Sequence, residues 1–128
     1  MPRVVGIGGI FFKARDPARL RTWYARYLGF GSADCGAVAF AWTDAQDEHH
    51  PGITVWSPFP ERTTYFDPSA KPFMINFRVD DLDGLLARLR SSGLQVDDHI
   101  ERSEHGKFGW VMDPEGNRVE LWEPADGL

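Results

Sequence analysis

The chain has 128 residues, 26% of them charged and 42% hydrophobic, with a net charge of -5; this suits one compact domain with a real core. The acidic balance argues against a nucleic-acid partner, which needs a basic face. No leader-like start and no apolar run near membrane-spanning length is present, so neither secretion nor a membrane partner is expected, and the single Cys35 suits a reducing cytoplasm.

Aromatic residues are 13% of the chain, enough to build a core and also to line a concave site. The first extended stretch is GGIFFKARDP, Gly8 to Pro17. Asp16 then caps a helix with Pro17 at its first position; Leu20, Trp23, Tyr24, Tyr27 and Leu28 form its apolar stripe, and Gly29 ends it. AVAFAW and ITVW follow as strands, joined through the acidic segment DAQDEHHPG, which reads as a solvated hairpin loop holding His49 and His50. A Pro-rich connector runs from about Ser57 to Pro72. FMINFRVDDL is the next strand, and Leu82, Leu85, Leu86 and Leu89 predict a second helix between Asp81 and Gly93. FGWVM and RVELW then flank DPEGN, whose Pro and Gly mark a tight turn.

The two halves repeat. Ile10, Phe12, Lys13, Asp16 and Leu20 match Ile75, Phe77, Arg78, Asp81 and Leu85 at a shift of 65, and ITVWSP matches VELWEP at a shift of 66. The chain therefore reads as a duplicated strand-helix-strand-strand-strand unit, with modules at residues 1–66 and 67–128.

The strand-DP-helix pattern with its WY and LGF, the second copy, and above all FGWVMDPEGNRVELWEP resemble the vicinal oxygen chelate superfamily of glyoxalases, bleomycin-resistance proteins and extradiol dioxygenases. The resemblance covers essentially the whole chain. It implies an α+β fold in which two βαβββ modules curl mixed sheets around a cup, a divalent metal inside it, and pairing into a homodimer. The metal positions it implies fall on Gly9, Thr54, Met74 and Glu120. Glycine and methionine offer no hard donor, so the metal site reads as degenerate and no cofactor is expected, although a divalent metal held by displaced ligands stays open. His99 and His105 lie after the second helix; His105 enters the strand beside Glu120, where a moving segment would close over a ligand.

Alternation along the strands predicts the cup wall. It turns Phe11, Lys13, Thr54, Trp56, Met74, Asn76, Arg78, Trp110 and Trp122 inward with Glu120, and packs Ile10, Phe12, Ile75, Phe77, Val119 and Leu121 beneath the helices. Pairing across DPEGN sets Trp110 opposite Glu120. Glu120 is the candidate catalytic residue, a general base or a polar contact to a ligand; its rival role is a structural bond to a basic residue or an amide. Two functions follow: binding of a small aromatic or anionic molecule without a metal, or lyase, isomerase or dioxygenase chemistry using a metal or Glu120.

Overall fold

The strand-helix boundaries are set by two aspartates. Asp16 accepts the Arg19 amide at 3.1 Å and Asp81 accepts the Gly84 amide at 3.0 Å, each satisfying an orphan donor of a first helical turn. In the computed structural model, which describes residues 2–31, 36–44, 47–126 and 128 without the side chains of 44 and 47–50, β1 (Val4–Ala14) leads into α1 (Pro17–Leu28), β2 (Val38–Asp44) and β3 (Asp47–Pro60). The second half repeats the order as β4 (Phe73–Val79), α2 (Leu82–Ser91), β5 (Glu101–Ser103), β6 (Gly106–Met112) and β7 (Arg118–Pro124). Gly29 ends α1 in the left-handed conformation, φ 72°, which a side chain would resist. Cys35 lies outside the described residues.

The strands form a single open mixed sheet in the order β2-β3-β1-β4-β7-β6-β5. The duplication is visible in it: β1 runs parallel to β3, β4 runs parallel to β7, and β1 and β4 meet antiparallel at the centre. Ile10 pairs with Ile75, and Trp110 faces Glu120 across the β6–β7 hairpin, as the DPEGN turn predicts. Three details differ from the sequence reading. The first half carries two described strands after its helix rather than three, because β5 has no counterpart among the described residues. The segment read as a loop around His49 and His50 is strand: β2 and β3 stay paired as far as Asp44 and Asp47. The connector accordingly begins only after Pro60.

The two helices cover the sheet unequally. α2 buries Leu82, Leu85 and Leu86 against Val79 and Leu121, with Phe77, Val111 and Val119 around them. α1 buries no residue completely; Tyr24 packs on Trp56 at 4.6 Å between ring centroids, while Leu28 remains 57% exposed. The helices lie over β3 and over β6–β7. The central strip of β1 and β4 is therefore left open, with Ile7 45% and Ile10 37% exposed, although alternation assigned Ile10 to the packed face. Among the described residues, no helix is long and apolar enough to cross a membrane.

This asymmetry is measurable. Leu86→Ala, which empties a site 1% exposed, is expected to lower the unfolding free energy by about 2–5 kcal/mol in urea, whereas Leu28→Ala should change it by less than about 0.5 kcal/mol. Comparable losses at both positions would mean that α1 is anchored by contacts beyond these.

Candidate functional site

Glu120 sits in the middle of β7 and is 1% exposed. A carboxylate so placed needs donors, and three converge on it. The Tyr65 hydroxyl and the Trp110 indole both donate to Oε1, the latter at 3.0 Å, and the Asn76 amide donates to Oε2 at 2.8 Å. All three are neutral. The nearest cation acts from one step away: the Arg118 guanidinium lies over the Trp110 ring at 4.7 Å, donates to the Tyr65 carbonyl, and reaches Asp97 at 3.4 Å. Burial raises the Glu120 carboxyl above its ordinary range, against the opposing pull of Tyr65, Asn76, Trp110 and Arg118. Burial, then the charge of Glu120, raises the Tyr65 hydroxyl as well.

The Tyr65 segment does more than supply a hydroxyl. Phe66 and Met74 are completely buried with Trp110, and Phe11, Phe59, Tyr65 and Phe108 pack around them. The connector is thus folded onto the concave face of the sheet and fills the space beside Glu120. Neither Lys13 nor Arg78, the basic residues expected on the cup wall, meets the carboxylate. Lys13 places its ammonium 5.7 Å from the Phe66 ring centre, and Arg78 lies over Trp42 and Trp122 at 5.7 and 5.3 Å.

What remains open is a cavity of about 420 Å³ above the sealed end, lined by Phe11, Ile53, Val55, Asn76, Phe108 and Trp122, with Gly8 at its wall and His105 at its edge. Phe108 and Trp122 stack at 5.8 Å with an interplanar angle of 5°, and the Trp122 indole donates to the His105 carbonyl at 2.8 Å. Gly8 is an extra residue in β1, where the pairing with β4 steps from Ile7–Phe77 to Gly9–Asn76. A Cβ at Gly8 would collide with Asn76 Oδ1, a buried oxygen with no hydrogen-bond partner.

Among the residues that alternation turns inward, Phe11, Asn76 and Trp122 line this cavity. Met74 and Trp110 are buried in the sealed end beside Glu120, and Lys13 lies along a groove at the start of α1. Thr54 and Trp56 are corrections. Ile53 and Val55 face the cup instead, while Thr54 donates to the Ile7 carbonyl at 2.6 Å and accepts the Trp42 indole at 2.8 Å. Trp56 packs against Phe12, Tyr24 and Phe30 under α1. In the sheet Ile10 pairs with Trp56 and Ile75 with Val119, so Trp56 corresponds to Val119 rather than to Trp122, an odd offset of three residues that reverses the facing. His99 stacks on Trp110 at 6.0 Å, and the side chains of His49 and His50 lie outside the described residues. Tyr65 is the residue that sequence reasoning missed; its signal was a buried carboxylate in need of a donor and an aromatic hydroxyl in the connector.

The donor set does not fit the divalent metal that the family implies. Both oxygens of Glu120 are engaged by protein donors, Gly9 and Met74 supply no hard ligand, and no group of three His, Cys, Asp or Glu residues converges among the described residues.

A glyoxalase-type sheet around an apolar cup is the class that this fold and site define. The chain belongs to the family of glyoxalase-like domains, whose sequence profile matches residues 9–122. Its fold is that of the glyoxalase/bleomycin resistance/dioxygenase superfamily. Methylmalonyl-CoA epimerase from Streptomyces coelicolor, in complex with 2-nitronate-propionyl-CoA, is similar at 17% identity with a TM-score of 0.68, covering 96% of this chain and 99% of that one. Methylmalonyl-CoA epimerase from Mycobacterium tuberculosis is 22% identical with a TM-score of 0.57, covering 95% and 89%. A superfamily member from Vibrio splendidus 12B01 is 16% identical with a TM-score of 0.57, covering 96% and 99%. A search of the curated proteins found no match.

The raised Glu120 carboxyl makes a prediction with a definite sign. Between its ordinary value of 4.5 and the higher folded value, the folded state keeps a proton that the unfolded state has released, so the Glu120 contribution is full below about 4.5 and is lost as pH rises through the folded value. The stability of the wild type relative to Glu120→Gln should fall as pH rises from about 4.5 in parallel urea titrations. A difference that grows with pH would mean that the three donors outweigh burial.

Proposed function

We propose that the protein binds a small molecule, aromatic or anionic, in the cup beneath Phe108 and Trp122, without a resident divalent metal. The observation that carries this reading is the cavity of about 420 Å³ with mostly apolar walls, within the size range of ligand sites. The hydrogen bonding of Glu120 supports it, since both carboxylate oxygens already accept from protein donors. On the single cysteine of the chain, we place this activity in the reducing cytoplasm.

An enzymatic reading, with Glu120 as general base in an isomerase or lyase, has two supports. Its carboxyl is raised by burial, and structural neighbours include epimerases. Against it, Glu120 is not among the residues lining the cup, and a base must come within hydrogen-bond reach of the proton it removes.

A neutral naphthalene alcohol titrated against the protein should give saturable quenching of Trp fluorescence. Val55→Trp, which fills the cup, should abolish it, and Glu120→Gln should leave it unchanged. Quenching that survives Val55→Trp would place the ligand elsewhere. Binding lost in Glu120→Gln with melting preserved would assign the carboxylate to the site.

We also propose that two copies pair through the open central strip, where Val4, Ile7, Ile10 and Phe73 present apolar surface on β1 and β4; patches of this kind mark interaction sites, and two-fold pairing is the commonest assembly. Light scattering should give twice the chain mass at micromolar concentration and the single-chain mass for Ile10→Lys. A wild-type monomer would overturn the pairing.

A further inference from the structure

One polar atom at the wall of the cup is unsatisfied. Asn76 is 1% exposed, and its side-chain nitrogen donates to Glu120 Oε2 at 2.8 Å. That bond turns the other end of the amide, Oδ1, toward Gly8. A Cβ added at Gly8 would strike this oxygen and would stand 3.0 Å from Trp122 Cε3. Gly8, Asn76 and Trp122 all line the cup. The oxygen thus fills the place of the side chain that Gly8 lacks. It has no hydrogen-bond partner among the described residues.

A buried acceptor left unpaired is unfavourable, because water satisfies the same group in the unfolded chain. One other buried side-chain oxygen shares this condition among the described residues, Asn117 Oδ1, and it does not line the cup. The other side chains of the wall do not compete for a polar ligand. Phe11, Ile53, Val55 and Phe108 are apolar, and the Trp122 indole is spent on the His105 carbonyl at 2.8 Å. The His105 side chain is 65% exposed at the edge. An acceptor in an apolar wall selects a donor, and Glu120 behind the amide disfavours a negative charge.

Because Asn76 is almost fully covered, a ligand reaches Oδ1 only as the wall yields. The bulge is where it yields most easily. At Gly8 the pairing of β1 with β4 breaks step between Ile7–Phe77 and Gly9–Asn76, so the ladder is interrupted beside the oxygen.

We propose that the ligand is a neutral, flat molecule carrying a hydroxyl or N–H group, which donates to Asn76 Oδ1 while the apolar body rests against Phe108, Ile53 and Val55. This rests on the cup-binding reading above and names its ligand class. Asn76 is then the residue that sets the specificity of the cup.

The test compares 1-naphthol with 1-methoxynaphthalene, which share a ring system and an oxygen but differ in the O–H donor. Both are titrated by Trp fluorescence against the wild type and Asn76→Leu, a substitution of similar size that removes the acceptor. The ratio of the two affinities is expected to move about tenfold against naphthol in Asn76→Leu. Carbon-13 NMR of the wild type supplies a second readout that needs no variant. The Asn76 side-chain carbonyl should shift more with naphthol than with the ether. An unchanged affinity ratio in folded Asn76→Leu, or equal carbonyl shifts with the two compounds, overturns the acceptor role while leaving the cup reading intact. If neither compound binds the wild type, both fall. Should Asn76→Leu fail to fold, the carbonyl shifts decide.

Discussion

The cost of burying Glu120 organises the concave side of this protein. An unpaired carboxylate in a dry interior is unfavourable by several kcal/mol, and here it is offset by groups from three separate segments: Tyr65 from the connector, Asn76 from β4 and Trp110 from β6. Hydrogen bonds to a charged acceptor contribute roughly 1.5–3 kcal/mol each, so burial and donors are of similar size. The upward displacement of the Glu120 carboxyl says that burial wins by a margin. Tyr65 has the largest structural consequence. Its hydroxyl bond to Glu120, with the Arg118 bond to its carbonyl, fastens the connector to β7 and brings Phe66 down onto Met74 and Trp110. The concave face is thereby divided into a sealed end and an open apolar end.

The sequence was legible wherever local chemistry fixed geometry. The β6–β7 register follows from the turn: Asp113 accepts the Glu115 and Asn117 amides at 2.9 Å and the Asn117 side chain at 2.7 Å, which leaves one way to set Trp110 against Glu120. The helix starts were equally readable from Asp16 and Asp81. Parity on β3 was not, because no tight turn ties ITVW to a partner, and matching Trp56 to Trp122 by residue type misplaced the strand by three positions, its counterpart by register being Val119. An odd offset reverses every facing. That is why Thr54 and Trp56 leave the cup and Ile53 and Val55 enter it. Gly8 eluded alternation for a related reason: a bulge adds a residue that a period of two does not count. Tyr65 lay in a stretch with no period, where the pattern holds no information about facing.

The repeat matches Lys13 with Arg78, yet the two cations have opposite surroundings. At Lys13 the connector fills the concave side, and the ammonium is left against Phe66. At Arg78 the neighbouring strand offers Gly6 and Gly8 with no side chains, and two indoles occupy the space around the guanidinium. Folding the connector over one half of a near-symmetric sheet therefore makes the face electrostatically one-sided, with the carboxylate under cover and a cation beside the opening. The strand registers Asn76–Glu120 and Arg78–Trp122 put these two groups only one pleat apart. Burial, by raising the Glu120 carboxyl, reduces the negative charge carried one pleat from Arg78, so the dry environment that makes the glutamate costly to the fold also weakens the contrast between the two ends of the face.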